Sequence, residues 1–115
     1  MLLNLKEETL SVLAKHGKTI DDILWIGTKN FRIPSALFWG LANKEYDNGY
    51  GCPYVATDLL IVGEDFWLER EEYDGSEWWA YKEKPQCPFT AWSNIHRIIN
   101  DEGWETVEEM NGKDR

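Results

Sequence analysis

The stretch Leu59-Leu60-Ile61-Val62-Gly63-Glu64-Asp65-Phe66-Trp67-Leu68-Glu69-Arg70-Glu71-Glu72-Tyr73-Asp74-Gly75-Ser76-Glu77-Trp78-Trp79-Ala80-Tyr81 decides the fold. Three runs rich in β-branched and aromatic residues, 59–62, 66–73 and 76–81, are separated by Gly63-Glu64-Asp65 and by Asp74-Gly75. Two tight turns between three such runs predict an antiparallel meander. With Asp74 and Gly75 at the centre of a type I′ turn, Tyr73 opposes Ser76, Glu71 opposes Trp78, Arg70 opposes Trp79 and Leu68 opposes Tyr81. One face then holds Phe66, Leu68, Trp79 and Tyr81, expected as core, with Arg70 lying over Trp79 as a cation–π contact. The other face carries Trp67, Trp78, Ala80 and Tyr73 interleaved with Glu69 and Glu71, and is either covered by a helix or used for binding.

Outward from the meander, helices are expected on both sides. Asn4 followed by Glu7 has the form of a capping box, and Leu5, Leu10, Leu13 and Ala14 recur at helical spacing up to Gly17, predicting a helix over about 4–16. Thr19 with Asp22 repeats the cap signal before Ile23-Leu24-Trp25-Ile26, a helical turn leading into a short strand. Pro34 suits the first turn of a helix over about 34–47, ended by Asp47-Asn48-Gly49. Behind Thr90, the spacing of Trp92, Ile95, Ile98 and Ile99 predicts a third helix over 90–101, stopped by Gly103. Thr106 and Val107 are read as a short edge strand, and residues 111–115 as a disordered tail. The expectation is an α+β fold: a single domain over 1–110, with a three- to four-stranded antiparallel meander and about three helices packed against one face.

The 115 residues suffice for one domain, and 43% of them are hydrophobic, including seven Trp, so a packed core is within reach. Twelve basic against 21 acidic residues give a net charge of −9, which repels nucleic-acid phosphate and anionic lipid. Direct nucleic-acid binding is therefore not expected. No apolar run approaches the roughly 20 residues of a membrane span, and Met1-Leu2-Leu3-Asn4 lacks the basic start of a secretory signal. The expectation is a cytoplasmic protein.

Cys52, Cys87, His16 and His96 are too scattered for a local metal clip, so no metal or other cofactor is expected. Cys52 and Cys87 both precede proline in loops, where the cytosol keeps them as reduced thiols. A nucleophilic Cys with His96 as base is the sharpest catalytic reading, but nothing supplies the orienting third group.

The charge is clustered. Residues 64–77 hold seven carboxylates against Arg70 alone, a local balance of −6, and residues 101–109 add five more with no base. Glu72 faces Glu77 in the hairpin register, a like-charge pair that costs stability. Carboxylates beside Trp and Tyr suit a basic partner such as a nucleic-acid-binding protein; a solvated face that keeps the chain soluble is the plainer reading. The candidate partner-binding residues are Trp67, Glu69, Glu71, Tyr73, Asp74, Glu77 and Trp78. The alternative is a small ligand-binding or hydrolytic domain, in which the rings stack a sugar or base and Glu69, Glu71 or Glu77 does the polar work. Self-association through Trp67 and Trp78 is a third.

From Asp58 to Trp79, with the upstream Ile33-Pro34 and Tyr46-Asp47-Asn48-Gly49-Tyr50-Gly51, the chain resembles small uncharacterised proteins of phages and prophages of Gram-positive bacteria. The resemblance covers roughly residues 20 to 85. It carries no established activity, so it implies context alone: an accessory protein of a mobile element, a setting in which small acidic inhibitors of host nucleic-acid enzymes occur.

Overall fold

The structure, a computed structural model, describes residues 1–112. Among the described residues the fold is α+β, with three α-helices and two antiparallel sheets. By internal contacts the described residues form two compact units, Met1–Lys84 and the residues from Pro85 on.

In the first unit the elements run β1 (Leu2–Asn4), α1 (Leu5–Lys15), a 3-10 turn (Ile20–Asp22), β2 (Ile23–Gly27), β3 (Arg32–Ile33) and α2 (Ser35–Ala42). They continue with β4 (Glu45–Asp47), β5 (Leu60–Gly63), β6 (Phe66–Tyr73) and β7 (Ser76–Glu83). The meander is present as β5-β6-β7 in the anticipated register: Tyr73 faces Ser76, Glu71 faces Trp78, and Leu68 faces Tyr81. The turn explains it. Asp74 and Gly75 both take positive φ, 50° and 88°, the condition for a type I′ connection whose twist matches the strands.

The sheet is wider than the meander. Strand β2 pairs with β5, and β3 with β2, giving the order β3-β2-β5-β6-β7. Glycines make two of these junctions. At Gly27 a Cβ would meet the Phe31 carbonyl of the β2–β3 turn, and at Gly63 it would meet the ring of Phe66.

Helix α1 begins where the cap signal places it, with Glu7 N–H donating to Asn4 Oδ1 at 3.0 Å, and ends before Gly17 at φ +72°. Thr19 and Asp22 cap the 3-10 turn reciprocally. Helix α2 is shorter than expected. It stops at Ala42 because Glu45–Asp47 leave the helix to pair with Leu2–Asn4 as a second, two-stranded sheet. Helices α1 and α2 join one face of the large sheet in a common core: Leu13 and Phe38 pack with Ile26, Ile61, Leu68 and Trp79.

The second unit corrects the reading of the C-terminal third. No helix forms over 90–101. The backbone N–H groups of His96 and Arg97, which a helix would direct to carbonyls one turn back, donate instead to Asn111 Oδ1 at 3.0 and 3.3 Å. The Asn111 amide donates in turn to the carbonyls of Arg97 and Val107, so a buried side chain holds this segment in an irregular path. Ile98 and Ile99 are exposed. Thr106-Val107 is not a strand: Val107–Gly112 is helix α3, opened by a reciprocal cap between Thr106 and Glu109. Of the expected disordered tail, Asn111 and Gly112 belong to α3, and 113–115 lie outside the described residues.

Candidate partner-binding face

Strand pleating sorts the hairpin side chains into two environments. Across the sheet, Ile26, Ile61, Leu68 and Tyr81 form one row on the helix-covered face. The neighbouring row, Trp25, Val62, Trp67 and Lys82, therefore points the other way, as does the row Gly27, Leu60, Glu69 and Ala80. Towards the hairpin end this outer face continues with Glu71 beside Trp78 and Tyr73 beside Ser76.

The structure brings Trp67, Glu69, Glu71, Tyr73 and Trp78 onto this outer face, with Asp74 in the exposed turn. Tyr73 is 76% exposed and Trp78 38%, while Trp67, Glu69 and Glu71 are half-buried. Two local contacts shape the face. Trp67 Nε1 donates to Glu69 Oε1 at 2.6 Å, which fixes the indole against the strand. Lys82 pairs with Glu71 at 3.2 Å across the small Ala80. Of the carboxylates on this hairpin, Glu69, Glu71, Glu72, Asp74 and Glu83 retain solvent contact, against the single Lys82.

Glu77 is placed elsewhere. It shares the parity of Trp79 and Tyr81, so its carboxylate points into the helix-covered side with only 4% of the side chain exposed. There it accepts from Arg70 Nη2 at 2.8 Å and from the backbone N–H groups of Tyr54 at 2.6 Å and Val55 at 3.2 Å. Arg70, whose side chain is 3% exposed, also donates to the Tyr46 hydroxyl at 3.1 Å and reaches Glu8 at 3.5 Å. Its guanidinium lies 4.8 Å from the Trp79 ring centroid, the anticipated cation–π contact. From β6 this one guanidinium joins α1, β4 and β7, and Glu77 ties in the loop before β5. A Glu facing into the core from β7, beside an Arg facing into it from β6, was the signal for this cluster. The strand parity that buried Trp79 applied equally to Glu77.

Tyr46 has a titration consequence. Its phenol is pushed well above the usual tyrosine range by burial, and then by donating to Glu8 Oε1 at 2.5 Å. The folded chain thus holds this proton more tightly than the unfolded chain. The associated stability is complete below pH of about 10 and is lost as pH rises past it. Urea midpoints measured from neutral pH to about pH 11 are expected to fall above pH of about 10. Tyr46→Phe should fall less steeply there. Equal slopes for the two proteins would contradict this assignment.

The catalytic reading of a Cys with His96 gains no geometry. Both cysteines are exposed, Cys87 Sγ contacts the Pro88 carbonyl, and His96 Nδ1 contacts the Asn94 carbonyl. Among the described residues no group of three His, Cys, Asp or Glu side chains could hold a metal ion, and no helix is long and apolar enough to cross a membrane. A cavity of about 560 Å³ lies away from the outer face. Phe38, Ala42, Val55 and Leu59 form its apolar walls, and Lys44 and Asp47 contribute charge. No family model, curated protein or solved structure matches the chain.

Proposed function

We propose that this chain is a non-enzymatic cytoplasmic accessory protein of phage or prophage type. In this reading it binds a basic host protein and competes with nucleic acid for that protein's surface. The observation that carries the reading is the outer face of the β6–β7 hairpin, where exposed Trp78 and Tyr73 stand beside Glu69 and Glu71, with Asp74 in the adjoining turn and Lys82 as the one lysine of the hairpin. Aromatic rings supply affinity when desolvated, and clustered like charge speeds approach of a cationic partner. The buried pairing of Glu77 with Arg70 leaves the hairpin's remaining carboxylates without an internal counter-charge of comparable strength.

The test is capture of partners from a bacterial lysate at low and high salt, followed by competition with duplex DNA. Wild-type protein should retain a basic partner that salt and DNA both release. The pair Glu69→Lys and Glu71→Lys should weaken that complex by at least about tenfold, because it reverses two charges at a rim where steering acts. Its unfolding free energy should stay within about 1 kcal/mol of wild type, since both residues contact solvent. Capture that survives the double reversal unchanged would refute the reading.

The groove of about 560 Å³ supports a second reading, a small-ligand domain, because its volume and apolar lining fall within the range of small-molecule sites. A metabolite that raises the melting temperature of wild type but not of Ala56→Trp, which fills the groove, would favour it.

A further inference from the structure

We propose that β7 receives an extended basic segment of the partner as a sixth strand of the large sheet. This proposal rests on the partner reading above and specifies its geometry. Strand β7 is the last in the order β3-β2-β5-β6-β7 and pairs with β6 alone. Next to a two-residue turn, Tyr73 and Ser76 form a hydrogen-bonded pair. Ser76, Trp78, Ala80 and Lys82 therefore turn their backbone groups toward β6. Glu77, Trp79, Tyr81 and Glu83 direct theirs away from it.

The turn end of this edge is already covered: Glu77 N–H donates to the Asn48 carbonyl at 2.9 Å, and Gly51 N–H to the Gly75 carbonyl at 3.2 Å. Beyond it, among the described residues, no backbone hydrogen bond meets the outward groups of Trp79, Tyr81 and Glu83. Proteins usually protect such a row, because it is a template for another strand. Here the natural edge guard, Lys82, is drawn back to Glu71.

Side chains define what that strand should carry. Neighbouring strands lie about 4.8 Å apart, so a residue beside Ala80 stands roughly 10 Å from the Glu69 backbone. Ala80 is small, so a guanidinium passing beside the Lys82 arm that crosses it spans that gap to meet the carboxylate. Glu69 Oε1 is taken by Trp67, which presents Oε2 to the newcomer. A second basic residue two positions along faces Trp78 and can stack on its exposed indole. The fitting segment thus alternates basic residues with β-branched ones. A second copy of the chain is a poorer occupant, since each copy brings a net charge of −9.

The experiment titrates the full-length chain with an acetylated, amidated peptide of four Arg-Val repeats. Two analogues are compared with it, one N-methylated at every Arg and one at every Val. A strand beside β7 points the amides of one residue type at the edge, and those of the other type away. The parent should bind and slow amide exchange at Tyr81 and Glu83. One methylated analogue, and only one, should bind at least about tenfold more weakly. Equal, salt-sensitive binding of all three peptides would overturn strand addition while leaving charge-driven partner binding intact. Failure of the parent to bind at low salt would overturn both. Light scattering that finds a dimer, with the Tyr81 and Glu83 amides already protected in the free protein, would assign the edge to a second copy and overturn the proposal.

Discussion

Replacing Arg70 with alanine is expected to lower the unfolding free energy by about 3–5 kcal/mol, the cost of removing one partner from a buried charge cluster. The loss exceeds the value of any one contact. Among the described residues, Arg70 is the cation paired with two carboxylates, Glu8 and Glu77, whose side chains are 11% and 4% exposed. Without the guanidinium those two charges remain in a low-dielectric interior with nothing to balance them. The Tyr46 hydroxyl loses a donor, and the Trp79 ring loses the cation above it. Urea denaturation followed by tryptophan fluorescence measures the shift in midpoint at constant slope. Arg70→Met combined with Glu77→Gln and Glu8→Gln should recover much of the loss, because no ion is left stranded and the amide oxygen at 77 still accepts from the Tyr54 and Val55 loop. A single Arg70→Ala cost below about 1 kcal/mol would mean the cluster is hydrated and the burial argument fails.

Glu77→Ala is expected to cost a similar amount, about 3–5 kcal/mol, with a different local signature. Its carboxylate holds two consecutive backbone N–H groups, those of Tyr54 and Val55, as well as Arg70. The connection from Asn48 to Leu59 is thereby tied to the hairpin through a side chain as well as through the Glu77 backbone N–H. Removing the carboxylate orphans both amides. Hydrogen exchange should accelerate at Tyr54 and Val55 by more than at the strand amides of β5, which keep their ladder. Glu71→Ala provides the contrast. Its partner Lys82 is 43% exposed, and the expected cost is within about 1 kcal/mol. If the two glutamates behaved alike, the division of the hairpin into a buried and a solvent-facing side would be wrong.

The hairpin was legible because its information is local. Two residues suited to positive φ set the turn, and the turn sets every pairing from Tyr73–Ser76 to Phe66–Glu83. The parity of the strands then followed, including the stacking of Arg70 on Trp79. What was not legible depended on partners distant in sequence. Strand β2 reaches β5 across more than thirty residues through a register shift between Ile23 and Trp25. Glu45–Asp47 carries no strand signal of its own and extends only because Leu2–Asn4 lies beside it. The isoleucine spacing over 95–99 imitates a helix, but Asn111 claims the amides that a helix would need. In two places the signal was present and was outweighed. Thr106 and Glu109 form an ordinary capping box, yet the β-branched pair Thr106-Val107 favoured a strand. Glu77 sat at a core position, yet its charge placed it with the surface carboxylates.

The contact between Gly63 and Phe66 ties the substitution histories of these two positions together. Any side chain at 63 must wait until the ring at 66 has been replaced by something smaller, and once a side chain is in place, the ring cannot return. Gly27 permits no such exchange, because the atom that would obstruct its side chain is the carbonyl of Phe31, which every amino acid possesses. Of the two glycines, therefore, one is open to drift in company with a neighbour, and the other stays as it is for as long as the β2–β3 turn keeps its shape.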